Sequence, residues 1–215
     1  MKKAFLYAAF SLFALGCVNA QNSDMAKLPV LKTGDQIADF GGGCFWAMSE
    51  SLSELRGVDA VVSGYSGGTT KNPTYEEVGT RTTGHAEVVQ VYYNPKVISY
   101  EKLAEAFFYA HNPTELNYQG PDVGTDYRSI AFYRTPEEKM TLLNLIKSIN
   151  TAKHYNAPIV TQVVPFVVFY PAEKYHQNYF KLHPDQSYIR EVSLPKVEKM
   201  RKIEKAQLKP EFQNL

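Results

Sequence analysis

The chain has 215 residues, of which 44% are hydrophobic and 13% aromatic, enough for one domain with a sizeable buried core. Its 23 basic and 22 acidic side chains nearly cancel, so charge gives no case for a nucleic-acid-binding protein. Beyond the first twenty residues, hydropathy predicts no membrane segment.

The N-terminal residues differ from the rest and are typical of an export signal. Two lysines precede an apolar run at residues 4–15, whose length suits a signal peptide better than a membrane span. Two processing routes stay open, cleavage after Ala20 or lipidation of Cys17 once the residues before it are removed. Cleavage predicts a leader at residues 1–20, and lipidation predicts one that ends before Cys17. Either route predicts that the protein reaches the bacterial periplasm or cell envelope. Cleavage after Ala20 would leave a mature net charge of −1.

Hydrophobic periodicity and capping residues predict the elements that follow. We expect a polar linker at 21–34, a folded domain at 35–190 and a charged helical tail at 191–215. In chain order the pattern predicts a strand at 37–40, a helix at 44–55, strands at 58–65 and 86–93, a helix at 99–111, a strand at 127–134, a helix at 135–149, a strand at 159–170 and a helix at 172–182.

The order of these elements predicts the fold class. The sequence β-α-β-β-α-β is that of the ferredoxin-like split β-α-β arrangement, an α+β sandwich, followed here by an extra helix and strand. Two of the helices have clear start signals: Ser99 precedes one as a cap, and Thr135 with Pro136 opens the other.

The cysteine count is the most informative number. Of the two cysteines, Cys17 is lost or lipidated, so the mature protein has one free thiol, Cys44, and no internal disulfide. Glycines at 41–43 place Cys44 at the start of a helix, where unpaired N–H groups and the helix dipole favour the thiolate. An inert buried cysteine is the alternative. The adjacent Phe45 and Trp46 argue against it, because two rings beside a nucleophile suggest an apolar cup.

A candidate proton donor is Glu87, near the start of the third strand. It shares one strand face with Val89, Val91 and Tyr93. Desolvation on an apolar face should raise the pKa of this carboxyl, which makes it a donor near neutral pH. Taken alone, an exposed glutamate with no role would be the better interpretation.

Several motifs occur together in one order. They are Gly43-Cys44-Phe45-Trp46, Gly64-Tyr65-Ser66-Gly67-Gly68, Asn72-Pro73-Thr74-Tyr75, Thr83-Gly84-His85-Ala86-Glu87, the run at 122–129 and His176-Gln177-Asn178-Tyr179. From about Asp39 to Tyr188 they resemble the A type of the peptide methionine sulfoxide reductases, which reverse methionine oxidation.

The resemblance implies a thiol-dependent oxidoreductase that reduces methionine-S-sulfoxide, free or in oxidised proteins, and so repairs them. Residues 35–190 would be its catalytic domain. Cys44 would attack the sulfoxide sulfur and become a sulfenic acid, and Glu87 would protonate the oxygen. Tyr65 and Tyr127 would hold that oxygen, and Asp122 would share the same polar network.

The resemblance also implies a substrate pocket and a way of recycling the enzyme. Phe45 and Trp46 would hold the methyl group, with Tyr179 nearby. No metal or bound organic cofactor is expected. Members with two cysteines carry a resolving cysteine near the C-terminal end, and no cysteine follows Cys44 here. An external thiol, from a thioredoxin-like protein or a small molecule, would therefore reduce the sulfenic acid. We expect a monomer whose only attachment to a membrane would be lipidation at Cys17.

Two other functions stay open at this point. A papain-like cysteine hydrolase also has an aromatic after its nucleophile and a histidine 130–150 residues later, and His176 is 132 residues after Cys44. That interpretation leaves Glu87 and Tyr65 without a role. A non-catalytic lipoprotein that only binds oxidised methionine is the other alternative.

Overall fold

Residues 24–215 are described by the computed structural model, and the predicted leader, residues 1–20, lies outside them. The strands are β1 (Gln36–Gly41), β2 (Val58–Ser66), β3 (Ala86–Tyr93), β4 (Tyr118–Gln119), β5 (Asp122–Val123), β6 (Ile130–Tyr133), β7 (Gln162–Pro165) and β8 (Phe169–Pro171). The α-helices are α1 (Phe45–Ser53), α2 (Tyr75–Gly79), α3 (Tyr100–Ala110), α4 (Pro136–Thr151), α5 (Tyr179–Leu182) and α6 (Leu194–Ile203). None of the helices in the described part of the chain is long and apolar enough to cross a membrane.

Six strands form one sheet in the order β7-β6-β1-β3-β2-β8. All neighbouring pairs are antiparallel except β6 and β7, which are parallel. The four central strands, with α1 between β1 and β2 and α3 between β3 and β6, have the ferredoxin-like connectivity. The predicted α+β fold class is therefore confirmed.

Strand β3 lies in the middle of the sheet, and all eight of its residues are buried. Val89, Val91 and Tyr93 belong to the main hydrophobic core, together with residues of α1 and α3. Ala86 and Val88 pack in a second, smaller core cluster. The predicted alternation is confirmed, and it places Glu87 on the face that packs against the helices.

The predicted helix starts are confirmed at α3 and α4. The Ser99 hydroxyl accepts a hydrogen bond from the Lys102 N–H at 3.2 Å. The Thr135 hydroxyl accepts one from the Glu138 N–H at the same distance, and Pro136 is the first helical residue. Both caps satisfy N–H groups that the helix itself leaves unpaired.

The prediction of a single strand at 159–170 is wrong. The structure has two short strands there, β7 beside β6 at one edge of the sheet and β8 beside β2 at the other. Between them Val167 is 83% exposed. The apolar run reports strand propensity and burial, but it carries no information on which edge each half joins.

Two further predicted elements are also corrected. The strand predicted at 127–134 begins only at Ile130, because residues 125–127 form a 3₁₀ turn. The helix predicted at 172–182 is broken into a 3₁₀ turn at 174–176 and the short helix α5, with Asn178 between them at a left-handed φ of 55°. The short α2 and the β4–β5 hairpin were not predicted, since each spans too few residues for a periodic pattern.

The C-terminal segment packs against the helical face of the domain. Val197 and Met200 of α6 are fully buried, and Leu208 belongs to the same buried set. Arg201 donates from Nε and Nη2 to the two carboxylate oxygens of the fully buried Glu54, at 2.8 and 2.6 Å. This bidentate pair joins α6 to the residue that follows α1.

We expect Arg201→Ala to lower the free energy of unfolding by about 3 kcal/mol, because it leaves the Glu54 carboxylate buried without its partner. Urea unfolding curves measure the change. Lys102→Ala is the matched control, because its pair with Glu105 is exposed and should contribute at most about 1 kcal/mol. Equal losses in the two variants would contradict a structural role for the Arg201–Glu54 pair.

Candidate active site

Cys44 is the N-cap residue of α1 and is 7% exposed. The glycine before it has a physical reason. Gly43 has a φ of +82°, and a Cβ there would lie 2.4 Å from Cγ of Gln119. The Gly43 N–H also donates to the Tyr127 carbonyl at 3.1 Å. The start of α1 is thereby held against the turn at 125–127.

Glu87 lies beneath the first turn of α1 and is 3% exposed. Its Oε2 accepts a hydrogen bond from the Phe45 N–H at 2.9 Å, which brings the carboxyl beside Cys44. Burial raises the pKa of Glu87 to about 8. The Phe45 N–H opposes this rise, and the negative charges of Asp126 and Asp122 add to it. Glu87 therefore carries a proton at neutral pH, as the sequence predicted.

The prediction that the helix start favours the Cys44 thiolate is wrong for the resting site. Burial raises the pKa of the Cys44 thiol well above its usual value, and the charge of Glu87 adds to the rise. The Trp46 N–H of the first helical turn offsets only part of it. Desolvation therefore outweighs the helix dipole, and the resting cysteine is a neutral thiol.

Two tyrosine hydroxyls lie together near this pair. Tyr127 belongs to the turn at 125–127, and Tyr75 is the first residue of α2. Tyr127 lies close enough to Tyr75 to offset part of the rise that burial causes in the pKa of the Tyr75 hydroxyl. Burial raises the pKa of both hydroxyls, and the charges of Glu87 and Cys44 raise them further. Both are therefore protonated donors beside Cys44.

Tyr65, which the resemblance pointed to as the second oxygen-binding tyrosine, does not fit that role. Its side chain is completely buried, and its hydroxyl donates to Oε2 of Glu173 at 2.9 Å. The other oxygen of Glu173 accepts from the Tyr75 N–H, also at 2.9 Å. Tyr65 thus supports the backbone of Tyr75 indirectly, through the Glu173 carboxylate. In the sequence, the one feature that could have identified Tyr75 as a site residue is its place at the end of the Asn72–Tyr75 motif.

An aromatic group borders the cysteine. Trp46 stacks on Tyr179 with ring centroids 3.8 Å apart and an interplanar angle of 10°. The Phe45 ring is buried and lies 6.5 Å from Trp46, between centroids. Tyr188 meets Trp46 edge-on at 5.7 Å. The structure therefore brings together the predicted aromatic residues Phe45, Trp46 and Tyr179, and it adds Tyr188.

His176 supports this aromatic group. Its Nδ1 accepts a hydrogen bond from Nε1 of Trp46 at 3.2 Å. Burial lowers the pKa of His176 to about 4, so the ring is neutral. A neutral imidazole bonded to Trp46 does not form the thiolate–imidazolium pair that a papain-like hydrolase would need.

Asp122 connects the site to the C-terminal segment. Its Oδ2 accepts a hydrogen bond from the Tyr188 hydroxyl at 2.6 Å and lies 3.8 Å from Nζ of Lys196. The Tyr188 hydroxyl also lies near the Cys44 side chain and offsets part of the rise that burial causes in the pKa of its thiol. Sequence reasoning included Asp122 but missed Tyr188, which stands at the end of the matched motifs without a motif of its own.

Two other motif residues position the loops around the site. The His85 ring accepts from the Gly68 N–H at 3.1 Å and contacts the Thr70 carbonyl at 2.8 Å. The Arg128 guanidinium donates to the carbonyls of Thr125 and Gly84 at 2.7 and 3.0 Å. Within residues 24–215 no group of three or more His, Cys, Asp or Glu side chains could hold a metal ion.

Comparison with known proteins agrees with this arrangement. The family described as "Peptide methionine sulfoxide reductase" matches residues 36–208. A peptide methionine sulfoxide reductase MsrA of Polynucleobacter asymbioticus is 45% identical over 86% of this chain and 96% of its own length. One from Nautilia profundicola is 51% identical over 77% of this chain and 94% of its own.

Solved structures give the same result. Reduced Mxr1 from Saccharomyces cerevisiae superposes with a TM-score of 0.68 at 31% identity, covering 73% of this chain and 91% of that one. Methionine sulfoxide reductase A of Corynebacterium diphtheriae gives 0.64 at 30% identity, with 71% and 77% covered. From its matched motifs, its fold and these relatives, the chain belongs to the peptide methionine sulfoxide reductase family and is an oxidoreductase that reduces methionine sulfoxide.

Proposed function

We propose that the enzyme reduces methionine-S-sulfoxide, free or in oxidised proteins, by transferring the sulfoxide oxygen to Cys44. One observation carries this proposal. The Cys44 thiol and the protonated Glu87 lie at the same helix start, held there by the 2.9 Å hydrogen bond from the Phe45 N–H. A nucleophile and a proton donor therefore border one aromatic cup.

The chemical step balances with these two groups alone. The Cys44 sulfur attacks the sulfoxide sulfur while Glu87 gives its proton to the oxygen and receives the thiol proton. The hydroxyl then passes to the Cys44 sulfur as the bond between the two sulfurs breaks. Methionine sulfur gains two electrons, Cys44 sulfur loses two, and the products are methionine and a sulfenic acid.

Tyr75 and Tyr127 hold the sulfoxide oxygen in this proposal. Their protonated hydroxyls lie beside both Cys44 and Glu87. A donor already oriented toward developing charge stabilises a transition state without reorganisation. Phe45 and Trp46 hold the methyl group, with Tyr179 stacked behind Trp46.

The acid role of Glu87 predicts a pH profile. Its pKa of about 8 means that the donor form is present below that pH and is lost above it. The single-turnover rate of methionine formation should therefore be level near neutral pH and fall above about pH 8. Glu87→Gln keeps the shape but has no proton to give, and should lower the rate about 10²–10⁴-fold and remove the fall. A variant with nearly the wild-type rate would exclude Glu87 as the acid.

A pair of matched variants tests whether Tyr75, and not Tyr65, binds the sulfoxide oxygen. Tyr75→Phe removes a donor to the sulfoxide oxygen and should lower the single-turnover rate about 10²-fold. Tyr65→Phe removes only the hydrogen bond to Glu173. It should lower the free energy of unfolding by about 1–3 kcal/mol and change the rate far less. The opposite ranking of the two rates would restore Tyr65 as the oxygen-binding residue.

Recycling of the enzyme follows from the cysteine content. No cysteine follows Cys44, so a cleaved mature chain has no thiol that could form an intramolecular disulfide. We propose that an external thiol, from a thioredoxin-like protein or a small molecule, condenses with the sulfenic acid and releases water. A second thiol then frees Cys44 as the external disulfide forms.

Intact-protein mass spectrometry tests this recycling. After one equivalent of methionine sulfoxide without reductant, the mass should rise by about 16 Da, one oxygen on Cys44. Cys44→Ser is the control, and it should form no methionine and gain no mass. A loss of about two hydrogens would instead indicate a disulfide, which within one chain requires Cys17 and a retained leader.

We also propose that the protein is exported and works in the bacterial periplasm or cell envelope. The support is the composition of residues 1–20, with two lysines before an apolar run. Mass spectrometry of the protein recovered from the cell distinguishes cleavage after Ala20 from lipidation at Cys17. A full-length chain in the cytoplasmic fraction would contradict export.

A further inference from the structure

Tyr188 contributes its side chain to the cysteine site from the start of the C-terminal segment. The next residue, Ile189, is 2% exposed, and α6 follows a few residues later. Farther along, the Arg201–Glu54 pair anchors α6 beside α1. Two contacts therefore hold Tyr188 in place: its ring packs on Trp46, and the segment that follows it is packed against the domain.

The Tyr188 hydroxyl stands between two acceptors. It donates to Oδ2 of Asp122 at 2.6 Å, and it lies near the Cys44 sulfur, since each group shifts the pKa of the other. A phenol has one proton and two lone pairs. While that proton is on the bond to Asp122, the oxygen can only accept from the Cys44 thiol. Once the thiol loses its proton, the same hydroxyl can turn its proton to the sulfur.

Rotation of the Tyr188 hydroxyl toward the sulfur would leave Asp122 without its hydrogen-bond donor. Lys196 can replace that donor. Nζ of Lys196 is buried and lies 3.8 Å from Oδ2 of Asp122. Among the residues that the structure describes, it has no hydrogen-bond partner. A buried ammonium without a hydrogen bond is unfavourable. A small movement toward Asp122 would satisfy both groups.

We propose that Tyr188 is a further catalytic residue, which donates its hydroxyl proton in a hydrogen bond to the Cys44 sulfur as the thiolate forms, while Lys196 moves onto Asp122. The inference rests on the proposed role of Cys44 as the nucleophile. The only covalent bond that breaks is the S–H bond of Cys44, whose proton passes to Glu87 in the proposed reaction, and the phenol keeps its own proton throughout.

The surroundings of Cys44 explain why such a donor is needed. Two acids act on the sulfur, Glu87 from β3 and Asp122 from β5, and both disfavour its charged form. The hydroxyls of Tyr75 and Tyr127 also lie nearby, but in the proposed reaction they hold the sulfoxide oxygen. The opposing contributions come from the Trp46 N–H and Tyr188. Tyr188 is therefore the side-chain donor available to the thiolate.

The test is the rate at which iodoacetamide alkylates Cys44 across a range of pH, in the full chain without any sulfoxide. Tyr188→Phe keeps the ring on Trp46 and removes the hydroxyl. The alkylation profile should move to higher pH, and the rate at fixed pH should fall about tenfold or more, the effect of one hydrogen bond to a charged group. The single-turnover rate of methionine formation should fall with it.

Tyr133→Phe is the matched control. It removes a hydroxyl at the last residue of β6, the strand end farther along the chain from the turn at 125–127, and should leave the alkylation profile unchanged. Lys196→Met should also slow alkylation, because Asp122 then keeps the Tyr188 proton. Its effect should shrink in the Tyr188→Phe background, where Lys196 has no hydroxyl to act through.

Three outcomes would overturn the proposal. An alkylation profile of Tyr188→Phe that superposes on the wild type is one, even if reductase activity falls. Equal effects of Lys196→Met with and without the Tyr188 hydroxyl are another. If Tyr188→Phe does not fold, unaltered alkylation of Lys196→Met is the third. Because alkylation needs no sulfoxide, a slowed alkylation with unchanged methionine formation would instead count against Cys44 as the reductase nucleophile.

Discussion

The hydrogen bond from the Phe45 N–H to Glu87 is the contact on which the site depends. It joins the first turn of α1 to the central strand β3, and both elements are buried in the core. A helix start has N–H groups without partners in the helix, and a buried carboxyl needs donors. Each satisfies the other here, and Cys44 at the N-cap position is thereby fixed beside the Glu87 carboxyl.

Burial of these groups has a chemical consequence. Desolvation raises the pKa of the Cys44 thiol and of Glu87 together, so the resting site holds two neutral acids. In the proposed reaction, such a site transfers protons when a polar sulfoxide enters, and until then little Cys44 thiolate is present. The surrounding hydroxyls of Tyr75, Tyr127 and Tyr188 remain protonated for the same reason.

Local patterns predicted the parts of the fold that local physics controls. Period-two alternation located β3 and the face that holds Glu87, and capping residues located the starts of α3 and α4. The same reasoning failed at 159–170, where one apolar run serves two strands on opposite edges of the sheet. It failed again at Asn178, whose left-handed backbone breaks a helix that the side-chain pattern favours.

The sequence by itself determined the family and pointed to Cys44 and Glu87 as the reacting pair of the proposed mechanism, because both lie in contiguous motifs whose chemistry is readable from residue type. Only the tertiary structure distinguishes Tyr65 from Tyr75, since both stand in motifs and the difference is that Glu173 accepts from the hydroxyl of Tyr65 but from the backbone N–H of Tyr75. It also decided the protonation of Cys44, because desolvation is a property of the whole packed site. Tyr188 reaches Cys44 through chain folding across more than a hundred residues, a proximity that no local pattern encodes.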